Sequence, residues 1–453
     1  MKGDFSRDTF DATKHFSRLL MQQGRVQLDA DWNEQASIAA HYLRSLAADL
    51  IGPHGGPGDG FKISRIPSAA GQPLEDLGIA LGHYYVAGLL CEHRAEAGGR
   101  VTAATYWTQR DYPVGKDTGA LPQPPFLVYL DVWERHITVV EDPSLLEPAL
   151  GGGDTCTRAQ VVWQAKVMPL SAPTTRATGV RLTRLWRESA ERALRLAASC
   201  KTKMRARAYA GNGSEGSGTT SGGGAAYRGT ENRLYRVEIH DGGTAPSFKW
   251  SRANGSVVFP IMKLRDTEVQ VGRATELESK LRCGDWVELV DDDAVLLWRT
   301  APLLRVQALD SFTGIVTLSG RPPLEVESSG TKHPLLRRWE GWQPVRRASV
   351  AESMDWQELE DGVEVQFGAD GDYCTGDYWL IPARVATGDV IWPTVQSKPD
   401  GPEPDDDGTP GPASLPPAGV EHHFAPLSVL IRQNSGNVIP LDLRRVFKPL
   451  LSD

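Results

Sequence analysis

Five cysteines in 453 residues are few, and no two of them form a CxxC pair. Cys91, Cys156, Cys200, Cys283 and Cys374 are scattered, which argues against a zinc site and against a disulfide framework. The expectation is reduced thiols, mainly buried. No run approaches the roughly 18 apolar residues that a transmembrane helix needs, so no membrane span is expected. The opening MKGDFSRDTF carries acids and polar residues where a signal peptide has its apolar core. The chain is therefore expected to be made in the cytoplasm without a signal peptide. There is no surplus of positive charge either: the net charge is -8, so no nucleic-acid partner is expected.

Catalytic signatures are equally scarce. The glycine-rich stretches at 52–60 and 211–224 lack the spacing of a dinucleotide fingerprint, and neither is followed by Lys-Ser or Lys-Thr. No serine sits in a G-x-S-x-G elbow, and no cysteine has a nucleophile context. Asp370, Asp372 and Asp377 are spaced loosely like a calcium loop, but the full spacing is missing. The acidic runs Asp291–Asp293 and Asp405–Asp407 read as solvated turns, since Asp bonds its own backbone there. Glu421, His422 and His423 are adjacent on a strand, so their side chains alternate in direction and make a poor chelate. Asp131, Glu134, Glu238, Glu364 and Asp377 fall on strands, yet nothing in the sequence pairs them as glycosidase carboxylates. The 13 tryptophans suit sugar platforms or, more commonly, core and interface anchors. No metal, no cofactor and no enzymatic activity are expected.

What the sequence does hold is a well-marked helix over Asp29 to Pro53. Asp31 is the expected N-cap, with Glu34 three residues on as in a capping box. Trp32, Ala36, Ala39, Leu43, Leu46 and Leu50 recur at alternating spacings of four and three, the seam of a helix that packs on another helix. Ile38 and Tyr42 form a smaller second apolar face. Gly52-Pro53 ends the helix. The six seam residues are the expected assembly interface; the plainer alternative is that they pack on their own domain.

The remainder predicts a mainly β protein: two antiparallel β-rich, sandwich- or barrel-like domains preceded by an arm and this helix. The divisions are 1–60 for the arm and helix, 61–170 for the first β-rich domain, and 171–226 for a helical connector with a Gly/Ser loop. They continue with 227–392 for the second β-rich domain, 393–419 for a Pro/Gly/Asp linker, and 420–453 for a C-terminal hairpin and tail. FLVYLDVWERHITVVED (126–142) is apolar on both sides, as in a strand covered on both faces. Residues 83–94 and 101–109 read as strands, and 176–200 as a helix. Asn254-Gly255 between two apolar runs predicts a β-hairpin. Residues 284–299, 303–319 and 363–384 each read as a further strand–turn–strand.

Several stretches are specific in wording: MKGDFSRDTFDATKHFSRLLMQQGRVQLDADWNEQ, YLDVWERHITVVEDP, ENRLYRVEIHDGG, FKWSRANGSVV and GDYWLIPARVATGDVIWP. They resemble an uncharacterised family encoded in bacterial gene clusters for contractile injection systems, the phage-tail-like particles. The resemblance runs from Met1 to about Leu430 and carries no catalytic residue. It implies a structural component of an injection particle that is released outside the cell, associated with its baseplate or fibres. The implied partners are other subunits of the particle, including further copies of this chain. Some relatives add a β-helix as tail spikes do, and this chain shows no such repeat. The alternative is a carbohydrate-binding or glycan-cleaving tail-fibre or tip protein.

Overall fold

The computed structural model describes residues 1–66, 75–94, 103–115, 120–151, 153–171, 179–197, 202–210, 226–273, 276–324, 332–347, 355–369, 371–395, 411–433 and 436–448. The Gly/Ser loop 211–224, most of the linker 393–419, Cys200 and Asp370 lie outside them. The protein is mainly β, 41% strand and 17% helix, with antiparallel sheets and a helix near the N-terminus.

The first sheet is organised by Phe126–Ile137. It pairs along its length with Arg158–Pro169 and, on its other edge, with His423–Arg432, which is joined in turn by Val438–Asp442. The chain therefore returns to its first sheet near its end. Phe126, Val128, Leu130 and Val132 pack on one face against Tyr84, Phe61 and Leu427. Leu127 alternates to the other face, where Trp186, Ala190 and Leu194 of α2 (Gly179–Ala197) cover it. Their spacing of four puts these three on one side of the helix. The expectation of a strand buried on both faces holds because a helix and a small sheet each claim one side.

A sandwich follows. The five-stranded sheet runs Gly341–Pro344, Ser247–Ser251, Arg233–Asp241, Tyr378–Arg384, Asp389–Val390. Its Tyr235, Val237 and Ile239 share one core with Val363, Val365 and Phe367 of the three-stranded sheet Met204–Ala208, Val363–Phe367, Gln357–Glu360. Between the sandwich strands Ser247–Ser251 and Gly341–Pro344 the chain forms a closed six-stranded barrel, filled by Phe259, Val269, Val287, Val316 and Leu336 among others. Closure removes exposed strand edges.

Several local expectations are corrected. The Asn254-Gly255 turn exists, with φ of 49° and 63°, but its flanking strands do not pair with each other. Ser247–Ser251 belongs to the sandwich and Val258–Arg265 to the barrel, so the turn is a crossover between bodies. Residues 363–384 hold two strands that likewise join different sheets. After Trp286–Val290 the second half of 284–299 is a short helix, Asp292–Leu296, because the Asp291 carboxylate caps Ala294 N–H at 2.8 Å. Tyr106–Thr108 is a 3-10 turn rather than strand. Residues 303–319 form the hairpin expected, and so do 423–442. Cys374 is disulfide-bonded, against the expectation of reduced thiols. Cys91 is buried, whereas Cys156 and Cys283 are exposed.

Candidate assembly surface

Helix α1 spans Asp29–Ile51 and ends at Gly52, whose φ of 91° only glycine adopts freely and whose N–H caps Ala48 at 2.8 Å. It begins three residues earlier than capping chemistry suggested, with Leu28 in the N-cap position. Asp31 is not the N-cap; it lies inside the first turn and accepts the Leu28 N–H at 3.1 Å. Asp29 is recruited into the helix by Ser6, which donates its N–H (2.8 Å) and hydroxyl (2.7 Å) to that carboxylate.

The helix buries only a narrow side. Ala30 and Ile38 are its buried residues, and Tyr42, expected beside Ile38, is exposed. Gly88 lets the helix approach the underlying sheet, since a Cβ there would sit 2.3 Å from the Arg44 carbonyl. Arg44 ties the helix to the first sheet through Glu134 at 2.7 Å. The six-residue seam faces solvent throughout. Trp32 is 69%, Leu43 68%, Leu46 57% and Leu50 77% exposed, and Ala36 and Ala39 between them are exposed as well.

The arm continues this surface. It runs back along α1, with Thr9 donating to Glu34, Phe10 against His41 at 5.6 Å, and Leu19 N–H donating to Gln35 at 2.8 Å. Phe16, Leu20, Met21, Val26 and Leu28 remain exposed on it. With Trp32, Tyr42, Leu43, Leu46 and Leu50 that makes ten of the twenty exposed large apolar side chains among the described residues, all within residues 16–50. Scattered exposed apolar groups are ordinary; concentration in one segment marks an interaction surface.

At its root the arm is fixed by a buried charge cluster. Asn254 donates to the carbonyls of Met1 (3.1 Å) and Gly3 (3.0 Å), and Gly3 N–H donates back to Asn254 at 3.2 Å. Lys2 reaches Glu238 at 3.0 Å; Arg236 binds the same carboxylate at 2.6 Å. Lys249 joins Glu238 (3.5 Å) to Glu288 (2.6 Å), which also accepts the Trp339 indole N–H at 3.0 Å. Burial by itself would raise the Glu238 carboxyl, but Lys2, Arg236 and Lys249 outweigh it and hold it well below the usual range. Burial lowers Lys2 to about 8, the nearby Glu238 notwithstanding.

The other singled-out acids are distributed, not gathered. Glu364 pairs with Arg207 at 2.9 Å. Asp131 is held by Lys166 (2.7 Å) and His422 (2.6 Å). Asp292 pairs with Arg135 and His333, and Asp293 with Lys332 at 3.0 Å. Among the described residues no group of three or more His, Cys, Asp or Glu is placed to hold a metal ion. Trp339 and Trp379 are fully buried core residues. Sequence reasoning missed the anchoring role of Lys2 and Asn254. The only signal was the Asn-Gly pair, whose positive φ was legible but whose partner, 251 residues away in sequence, was not.

A mainly antiparallel β protein with an uncovered apolar helix is the class these observations define. The chain belongs to a family of unknown function (DUF6519), whose model matches residues 1–216 and 193–436. No curated protein and no solved structure matches it. No helix among the described residues is long and apolar enough to cross a membrane.

Proposed function

We propose that this protein is a structural subunit of a contractile injection particle, baseplate-associated, and that neighbouring copies join through antiparallel packing of α1 on α1. The observation that carries the reading is the solvent-facing seam. Its positions are symmetric about residue 41: in an antiparallel pair Trp32 meets Leu50, Ala36 meets Leu46, and Ala39 meets Leu43. Each leucine knob then falls opposite an alanine hole or the flat indole, which is the large-against-small fit that helix packing requires. One patch serves both partners, as a two-fold interface demands. Flanking residues do not clash, since Asp49 falls opposite Asn33 and Ser45 opposite Ser37. The particle setting is supported by the sequence resemblance to proteins of injection-system gene clusters. The exposed arm supplies further contact area, and repeated weak contacts add up in a ring or sheath.

Sedimentation equilibrium of the full chain tests this. Wild type is expected to associate at micromolar concentration, and Leu43→Asp or Leu46→Asp to remain monomeric. Wild-type monomer throughout, or variants that associate as wild type does, would overturn it.

A further inference from the structure

A cavity of about 330 Å³ lies where the strands Phe126–Ile137 and Arg233–Asp241 meet the barrel and the segment 418–423. That volume is near the lower end of the range for small-molecule sites, roughly 300–1,000 Å³, and suits a ligand of about one ring. Val295, Arg299 and Glu421, all exposed, lie at its rim.

Independent observations converge on Trp298 in its wall. Its φ is 55°, in the left-handed region that a bulky side chain rarely adopts, and such outliers cluster at functional positions. Its indole Nε1 is buried without a hydrogen-bond partner among the described residues. Gly376 lies against the ring: a Cβ there would come within 2.7 Å of it, so the indole occupies space that only glycine leaves open. The same lining includes His240, 5% exposed, whose Nδ1 also has no partner among the described residues. Buried polar atoms nearly always have a partner, so two orphans in one cavity wall point to a ligand that supplies both. Burial, followed by the charge on Lys249, depresses the His240 pKa and favours neutral imidazole, which both donates and accepts.

Chemistry narrows the class. The indole offers only a donor and asks for an acceptor. Seven lysines and arginines line the cavity against five glutamates. Glu134, Glu238 and Glu288 are already engaged in ion pairs, and these or Asp292 occupy Lys2, Arg44, Arg135, Arg236 and Lys249. Arg299 makes no ion pair among the described residues and stands at the rim. A carboxylate answers the indole and the arginine; a hydroxyl answers the imidazole.

We infer that this cavity binds a single carboxylate-bearing sugar, a hexuronate, with Trp298, Arg299 and His240 as its polar contacts. The inference is independent of the assembly reading, since it uses no residue of the seam.

The test is calorimetric titration of the full chain with sodium D-glucuronate and D-galacturonate, with D-glucose and D-galactose as uncharged controls. Trp298→Phe keeps the ring and removes the indole N–H; His240→Leu removes the imidazole. Both variants are checked for wild-type melting, and Arg299→Gln, at the exposed rim, serves as a third that does not disturb the core. The expected result is saturable binding of at least one uronate, weakened tenfold or more in each folded variant, with no binding of the neutral sugars. Absence of saturable uronate binding would overturn the inference and leave a cavity that holds water. Equal affinity for the neutral sugars, or unchanged affinity in the folded variants, would overturn it as well.

Discussion

Asp377 is the residue whose environment asks most of it. Burial raises its carboxyl to about 6, with the nearby His422 only partly offsetting this, and its Oδ2 has no hydrogen-bond partner among the described residues. In the unfolded chain the group titrates near 3.8. The folded protein thus holds the proton more tightly, and stability contributed here rises as pH falls from about 6 toward 3.8. Asp377→Asn should stabilise the fold at neutral pH by up to about 3 kcal/mol, at 1.36 kcal/mol per pKa unit. That gain should vanish near pH 4. Thermal melts of the two proteins across pH 4–8 check both the sign and the window.

Glu238 carries the opposite sign. Its folded carboxyl is depressed, so its contribution is complete above the unfolded value of 4.5 and is lost as pH falls through the lower folded value. Glu238→Gln strands Lys2, Arg236 and Lys249 beside one remaining glutamate and should cost about 3–5 kcal/mol at neutral pH. Urea denaturation at pH 7 measures that loss, which should shrink below pH 4. None of this was legible in the sequence. Glu238 appeared there only as one of five acids on strands, because the cations that surround it come from positions 2, 236 and 249.

At the scale of elements, α1 was read nearly whole from spacing and its Gly-Pro stop, while its start was misplaced because Ser6 lies outside any local window. The seam was legible as apolar. Whether a neighbour within the chain covers it was not, since amphipathic periodicity is the same for a core face and for an interface. Exposure now sharpens the consequence. Leu43→Asp removes no packing within the chain, so the stability of the isolated subunit should change by less than about 0.5 kcal/mol. Association should fail in the same variant, and melting at low concentration separates the two effects. The hairpins show a related limit. Turn chemistry correctly placed turns at Asn254-Gly255 and within 303–319, yet only the second joins strands that pair. Which edges pair is decided by sheet packing over long sequence distances, as in the Tyr378–Arg384 strand beside Arg233–Asp241. At Asp291 the capping preference of an acid was mistaken for a turn preference.

At the scale of the molecule, the arm and α1 are bound to everything else through few points: Asn254 and Glu238 at the root, Arg384 donating to the Ser6 carbonyl, and Glu134 beneath the helix. Asn254→Ala removes two hydrogen bonds to the arm and should loosen it, costing about 1–3 kcal/mol for carbonyls left buried. Hydrogen exchange at residues 1–10 should rise in that variant while the strand Phe126–Ile137 stays protected. The mainly β class was legible because aromatic and β-branched runs recur along the chain. The return of His423–Arg432 to the first sheet was not, since nothing local in that strand specifies a partner almost 300 residues earlier.

The antiparallel α1 pair is tested most directly by mixing two chains that each carry one introduced seam cysteine. Ala36→Cys and Leu46→Cys, each with Cys156→Ser and Cys283→Ser to remove the exposed native thiols, are combined and oxidised gently. The seam register places position 36 of one copy against position 46 of the other, so the mixture should yield a covalent heterodimer while each variant alone stays largely uncrosslinked. No heterodimer in the mixture, or equal crosslinking of each variant with itself, would contradict the interface on which the proposed function rests.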